Sequence, residues 1–342
     1  MTRRLVLDLR AQRPVWRIPP GVVVTLRRAL GEGWELIEIE APVSSDGDGG
    51  SGSAEAVAAA QGAEVYVGFG VPPGVVAGGR ETLRWAHTCT AGVGAIVAVL
   101  RGSGIRLTNS AGVHAEPIAD WALAALAYFA KGLDHVTRAQ AEKRWIQGSF
   151  GDRTIPVREL ADIRVGILGL GGIGTAVARR ALALGMRVAG IRRRPEQGGP
   201  AGMAWVGGRA DLPRLAAESD ALVIAAPRTT ATDAAVGRAV LSQLPAGAVV
   251  VNVSRGALLD EVALLERLET GALRGAALDV FATEPLPPDH PFWSHPRVLV
   301  SPHVSPVTER FWEREAGLIL ENIRRYLAGS SLVNQVDLDA GY

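Results

Sequence analysis

The sequence predicts an α/β chain built on parallel sheets and divided into two domains, and three observations predict it. Short apolar, β-branched runs alternate with helical patterns from end to end, as in a series of βαβ units. Most of those runs lack polar alternation, which is how strands read when both faces of a sheet are covered. The third observation is residues 165–191, VGILGLGGIGTAVARRALALGMRVAGI, where a strand meets glycines, then a helix, then a second strand. At 342 residues the chain has room for two full cores, because domains usually run to about 100–200 residues.

Taken in order, residues 4–9, 36–39, 64–67, 84–88 and 105–108 read as strands separated by helical patterns. Between the second and third lies SSDGDGGSGS at 44–53, a flexible insertion with no apolar side chain to bury. The fourth strand runs into Cys89, Thr90, Ala91, Gly92, Val93 and Gly94. This is a small-residue turn whose N–H groups can either hold an anion or simply open a helix. Nothing near Cys89 argues for a depressed thiol pKa, so a packed small side chain is expected there. Residues 118–133 form a helix apolar almost all round, to be buried within its domain or against a second copy of the chain. After a less regular link at 143–151 come strands at 165–168, 187–191, 204–206, 221–226, 248–253, 276–280 and 298–300, and a helix at 308–327 closes the chain.

The glycines of the central turn carry chemistry. Gly169 permits the tight turn, Gly171 lets a pyrophosphate approach the backbone, and Gly174 lets helix and strand pack closely. The helix N-terminus offers N–H groups and partial positive charge to phosphates. A dinucleotide is the expected cofactor. An acidic residue at the tip of the second strand would take the ribose hydroxyls of NAD, but Arg192, Arg193 and Arg194 stand there, with Glu196 beyond. Guanidinium groups suit a 2′-phosphate, so NADP(H) is expected to be preferred, with NAD(H) possible and three solvated arginines as the bland alternative.

Composition narrows the rest. With 36 basic residues against 35 acidic, a net charge of +1 supplies no general field for nucleic acid or an anionic membrane. Cys89 is the single cysteine, so no intrachain disulfide is possible, no cysteine-based metal site can be built, and no metal is expected. The N-terminus lacks the apolar core of a signal peptide, and no apolar run reaches the roughly 18 residues of a membrane span. A cytoplasmic protein is the expectation.

Three later strands each run out into a charged or titratable group: VNVSRG with Arg255, LDVFATEP with Asp279 and Glu284, and SPH with His303. Ligands of open parallel sheets sit at the C-terminal strand ends, so these groups can converge beside a nucleotide. Together they offer a cation for a carboxylate, an acid for a carbonyl oxygen and a carboxylate to tune that acid.

In combination, GILGLGGIG, VNVSRGALLDE, ALDVFATEPLP and SPHVS, in this order and spacing, resemble the D-isomer-specific 2-hydroxyacid dehydrogenases, which include glyoxylate/hydroxypyruvate reductases and phosphoglycerate dehydrogenases. The resemblance spans nearly the whole chain. It implies two Rossmann- or flavodoxin-like domains, with a nucleotide domain at 108–303 inserted into a substrate domain formed by 1–107 and 304–342. It also implies an active site in the cleft and usually a homodimer through the nucleotide domains. His303 becomes the acid/base, Glu284 its partner and Arg255 the substrate anchor. Thr90, Ala91 and Gly92 match the loop whose amides hold the substrate carboxylate. Gly172 and Ile173 would meet the pyrophosphate, Ala226, Pro227, Val253 and Ser254 the adenosine and ribose side, and Asp279 the nicotinamide carboxamide.

The implied reaction is reduction of a small 2-oxo acid to the D-2-hydroxy acid, with Glu284 favouring the charged form of His303. Departures bear on the substrate. Gly94 stands where many members carry Asp, the chain ends without a regulatory domain, and basic residues are sparse in the 67–76 and 88–95 loops, which disfavours a phosphorylated substrate. Phe69 and Trp312 could wall an apolar pocket, although core packing is the simpler role for both. Two other readings stay open: a dehydrogenase for a branched or aromatic 2-oxo acid, and a dinucleotide sensor like the C-terminal binding protein corepressors.

Overall fold

The computed structural model describes residues 2–44 and 52–341. Two compact units divide the chain, one formed by Met1–His114 with Val307–Tyr342 and the other by Ala115–Pro306.

The first unit carries β1 (Arg3–Asp8), β2 (Trp34–Glu38), β3 (Val65–Gly68), β4 (Trp85–Thr88) and β5 (Arg106–Asn109). They pair in parallel in the order β2-β1-β3-β4-β5, the flavodoxin-like arrangement, whose direction reverses between β1 and β3. Alternate residues of each strand serve opposite faces. Leu5, Leu7, Val65, Val67 and Trp85 join one core, and Val6, Tyr66 and Ala86 the other. The helix Phe311–Leu327 covers the first face with Phe311, Trp312, Ile319, Ile323 and Tyr326 at helical spacing. Phe69 and Trp312 are both consumed in this core rather than lining a pocket. Beyond the helix the chain returns to β5, where Val336 N–H donates to the Leu107 carbonyl at 2.8 Å.

Most of the expected flexible insertion, residues 45–51, lies outside the described residues. Its last residue has a definite role. The Ser53 hydroxyl accepts from the Ala56 N–H at 3.0 Å and caps the helix Ala54–Ala60.

The second unit holds β6 (Arg164–Leu168), β7 (Arg187–Ile191), β8 (Trp205–Gly207), β9 (Ala221–Ile224), β10 (Ala248–Asn252), β11 (Leu273–Leu278) and β12 (Val298–Val300). All pair in parallel, in the order β12-β11-β10-β9-β6-β7-β8. That is the Rossmann order with one strand added, and it reverses between β6 and β9. Val165, Ile167, Val249 and Val251 face the helices Ala115–Ala130 and Gly172–Ala183, while Leu222, Ile224, Val250 and Leu278 serve the opposite core.

The apolar helix ends sooner than its pattern implies. It stops at Ala130, and Gly132, at φ 67°, starts a separate helix Leu133–Ala141. A Cβ at Gly132 would stand 3.0 Å from Ile155 and Phe150, so the break is fixed by tertiary packing as well as by backbone freedom. Within 143–151, Gln147–Gly151 forms one short helical turn. Among the described residues, no helix is long and apolar enough to cross a membrane.

Candidate active site

In the second unit, adjacent strands β10, β11 and β12 deliver the three charged groups from the same sheet edge. After β12 the chain turns sharply, and His303 adopts φ 54°, a conformation that costs a non-glycine residue roughly 1–2 kcal/mol. Hydrogen bonds hold it there. The His303 N–H donates to the Asp279 carbonyl at 2.9 Å. The Asp279 carboxylate, fully buried, accepts the N–H of Val304 on Oδ1 and of Ser305 on Oδ2, each at 2.9 Å, and the Ser301 hydroxyl on Oδ1.

So placed, His303 Nδ1–H donates to Glu284 Oε2 at 2.8 Å. The other oxygen, Oε1, accepts the Phe281 N–H at 2.9 Å. Partial burial pushes the Glu284 pKa up, but the hydrogen bonds from His303 and Phe281 and the nearby charges of His303 and Arg255 outweigh it, leaving the carboxyl below its usual range. With Nδ1 engaged, Nε2 is the nitrogen left to give or take a proton.

Arg255 sits on the loop after β10. Its residue surface is exposed, yet enough protein surrounds the guanidinium that loss of water lowers its pKa, with the Glu284 charge acting the other way. Asn252 braces this loop: its Nδ2 donates to the Arg255 carbonyl at 3.1 Å and its Oδ1 accepts the Ser254 N–H at 3.1 Å. Gly256 locks the loop onto the next one, because a Cβ there would lie 1.8 Å from the Phe281 carbonyl carbon. Arg255, Glu284 and His303 are therefore brought together.

The glycine turn is built as its spacing implies. Gly169 stands at φ 101°, and its Cβ position lies 2.6 Å from the Ala226 backbone. A Cβ on Gly174 would lie 1.9 Å from the Gly169 carbonyl oxygen. Around Gly171, by contrast, nothing comes within 4 Å of that position. The backbone is thus open where Gly171 caps the helix Gly172–Ala183, whose first N–H groups, those of Gly172, Ile173 and Gly174, have no acceptor in the preceding turn. Ala226 and Pro227 follow β9, and Val253 and Ser254 follow β10, at the same edge. These residues fit a dinucleotide: an open backbone for the pyrophosphate and strand ends on either side.

After β7 ends at Ile191, the first carboxylate along the chain is that of Glu196. Arg192 has a structural task, donating through Nη1 to the Gly198 carbonyl at 2.8 Å and through Nη2 to Gln197 Oε1 at 2.6 Å. It braces the loop on which Arg193 and Arg194 are exposed.

In the first unit, the turn after β4 has its carbonyls occupied. Ser110 N–H donates to Thr90 O at 3.0 Å, Asn109 Nδ2 to Ala91 O at 2.9 Å, and the Thr90 hydroxyl to Gly92 O at 3.1 Å. Among the described residues, no acceptor is recorded for the N–H groups of Thr90, Ala91 and Gly92. Cys89 is buried, and burial, helped by the Glu315 carboxylate, pushes its thiol pKa well up, which disfavours a nucleophilic role.

Sequence reasoning passed over Asn252 and Asn109, the side chains that shape two of these loops. For Asn252 the signal was present, a polar residue closing an otherwise apolar strand, whereas Asn109 ends a strand that already carries Arg106 and Thr108. For Asp279 the structure adds a role the motif does not imply, that of holding the His303 turn.

Known proteins resemble this chain in sequence and in fold. Residues 123–305, more than half of the chain, match the family model of the D-isomer specific 2-hydroxyacid dehydrogenase, NAD binding domain. The chain is similar to a glyoxylate/hydroxypyruvate reductase A of Yersinia enterocolitica, 35% identical over 217 residues, 64% of this chain and 66% of that protein. It is also similar to a glyoxylate/hydroxypyruvate reductase B of Pectobacterium carotovorum, 34% identical over 257 residues, 75% of this chain and 79% of that one. A D-isomer specific 2-hydroxyacid dehydrogenase from Xanthobacter autotrophicus Py2, solved with NADPH and MES, superimposes with a TM-score of 0.77 at 30% identity, covering 100% of both chains. The chain belongs to the D-isomer specific 2-hydroxyacid dehydrogenase family. It is accordingly an NAD(P)-dependent oxidoreductase that interconverts small 2-oxo and 2-hydroxy acids.

Proposed function

We propose that this enzyme is an NADPH-dependent reductase of glyoxylate or hydroxypyruvate, forming the D-2-hydroxy acid where the product is chiral. The observation that carries the reading is the His303–Glu284 hydrogen bond of 2.8 Å beside the Arg255 guanidinium, at the sheet edge shared with the open glycine turn. A bound nicotinamide supplies the hydride for C2 of the substrate. His303 delivers the proton from Nε2 to the carbonyl oxygen, and Glu284 holds the ring and balances its charge. Arg255 orients the substrate carboxylate and opposes the charge growing on oxygen. In the first unit, the N–H groups of Thr90, Ala91 and Gly92 are suited to binding a carboxylate. Val253, Ser254, Ala226 and Pro227 line the adenosine and ribose side.

The preference for NADPH rests on the absence of a carboxylate at the β7 tip and on Arg193 and Arg194 exposed there. The protein acts in a reducing cytoplasm, in keeping with a single buried thiol. It works as a homodimer through its nucleotide domain, where Trp145, Leu133 and Val136 are exposed apolar side chains, Trp145 at 90%. Light scattering on the eluting peak of a sizing column tests the dimer.

NADPH and NADH oxidation with glyoxylate, hydroxypyruvate, pyruvate, phenylpyruvate and 2-oxoisocaproate tests the whole reading. Turnover highest with glyoxylate or hydroxypyruvate, and with NADPH, supports it. Preference for a bulky acid or for NADH overturns the corresponding half. Silence with every acid, with dinucleotide binding retained, points to the sensor reading.

A further inference from the structure

Within the first unit, below the Thr90–Gly92 turn, lies a second cluster that the reaction does not use. His87 on β4, Cys89 at its end and Glu315 on the helix Phe311–Leu327 are all buried, and one ligand atom from each lies within 4.8 Å of the other two. His87 Nε2 and Glu315 Oε1 are 2.8 Å apart, with both side chains 0% exposed. The Ser110 hydroxyl reaches the same oxygen at 2.9 Å. The second oxygen, Glu315 Oε2, is buried and has no hydrogen-bond partner.

A buried carboxylate oxygen without a hydrogen-bond partner costs about 1–3 kcal/mol. Among the described residues, the only basic side chain within ion-pair distance of Glu315 is His87. What the cluster lacks is a partner for that second oxygen. A divalent cation supplies it: the Cys89 thiolate, a neutral His87 imidazole and both oxygens of the Glu315 carboxylate give four sulfur, nitrogen and oxygen donors of the kind zinc takes, with two negative charges between them. His87 is already arranged for this. Its Nδ1 lies 2.8 Å from Thr108 Oγ1, which also accepts the Trp85 indole N–H at 2.9 Å. A histidine ligand commonly makes such a bond through its second nitrogen, which fixes the ring and leaves the other nitrogen for the metal.

We infer that His87, Cys89 and Glu315 form a structural zinc site that ties β4 to the C-terminal helix and so fixes the base of the Thr90–Gly92 turn. From the single cysteine, no cysteine-based metal site and no metal are expected. The fold instead joins it to a histidine two positions earlier and to a glutamate from the last helix, a partnership no local spacing reveals. Zinc–ligand bonds of about 2.0–2.3 Å require the widest of these separations to contract when the ion binds. Because the cluster is sealed, the ion enters as the chain folds and leaves only when it opens.

The test is metal content of the whole protein, produced without a polyhistidine tag in zinc-containing medium and passed through a sizing column in EDTA. Inductively coupled plasma mass spectrometry is expected to give about one zinc per chain, falling to background in Cys89→Ser and in Glu315→Gln. Since either variant can fail to fold, wild-type protein is also refolded from denaturant with Co²⁺. A thiolate-to-cobalt charge-transfer band in the near ultraviolet is expected, because Cys89 is the only cysteine. Wild-type protein with less than about a tenth of a metal per chain and no such band overturns the site and leaves a proton as the occupant. Zinc content unchanged in folded Cys89→Ser overturns it equally, by placing the metal elsewhere.

Discussion

Asp279 holds the backbone on both sides of His303: its carbonyl takes the His303 N–H and its buried carboxylate takes the N–H groups of Val304 and Ser305. The left-handed turn that aims the imidazole at Glu284 is therefore anchored to the end of β11.

Asp279→Asn should disturb this anchor, since an amide NH₂ would face a backbone N–H that needs an acceptor. The expected loss is about 1–3 kcal/mol of stability, and a fall in kcat of about 100-fold from a misplaced imidazole. Steady-state kinetics with denaturant titration checks both. A raised KM for the dinucleotide with kcat preserved would instead assign Asp279 to the nicotinamide alone.

His303→Asn removes both a hydrogen bond and a charge from Glu284. With only the Phe281 hydrogen bond and the Arg255 charge left to oppose burial, the Glu284 carboxyl pKa should rise above its wild-type position, and turnover should drop by about 10²–10⁴-fold with the fold intact. Carbon NMR of the labelled glutamate side chain follows the titration directly. An unmoved titration would show that the pair does not exist in solution.

Two glycines of one motif should behave oppositely. Gly171→Ala places its methyl in open space and should fold normally, but it should raise the dinucleotide KM by about tenfold or more by intruding on the pyrophosphate. Gly174→Ala drives a methyl to 1.9 Å from the Gly169 carbonyl and should cost at least about 1–3 kcal/mol. Thermal melts with and without NADPH separate the two. Equal melting temperatures would refute the packing role of Gly174.

Much of this architecture was legible because it is local. β4 falls at Trp85–Thr88, within the strand expected at 84–88, and the glycine turn sits where its spacing puts it. The site motifs were likewise readable as strand ends. What the sequence hid depends on distant partners. β11 begins at Leu273, ahead of the expected 276, because Arg274 pairs with buried Asp134 at 2.6 Å and Gly275 makes room for Phe129. A basic residue and a glycine read locally as a turn, and only the packing of the Ala115–Ala130 helix makes them a strand. The His87, Cys89 and Glu315 cluster was hidden for the same reason.

The acid limb of stability should be set in part by Asp220. Burial alone would raise its pKa, but Arg164 donates to both carboxylate oxygens at 2.9 Å, Arg158 adds a second guanidinium, and the balance lies far below the usual aspartate range. The sign follows from that depression. The folded state keeps the carboxylate charged where the unfolded chain takes up a proton. The contribution is therefore complete above the unfolded pKa of about 3.9 and shrinks as pH falls toward the folded value. Asp220→Asn should lower stability by about 1–3 kcal/mol at pH 7, because it leaves the Arg164 fork without its anion at a site only 12% exposed. The difference between variant and wild type should narrow below about pH 4, as the wild-type stabilisation is titrated away. Urea titrations at pH 7, 5 and about 3.5 check it. A gap that stays constant across this range would mean that the carboxylate charge contributes nothing and that only the shape of the side chain matters.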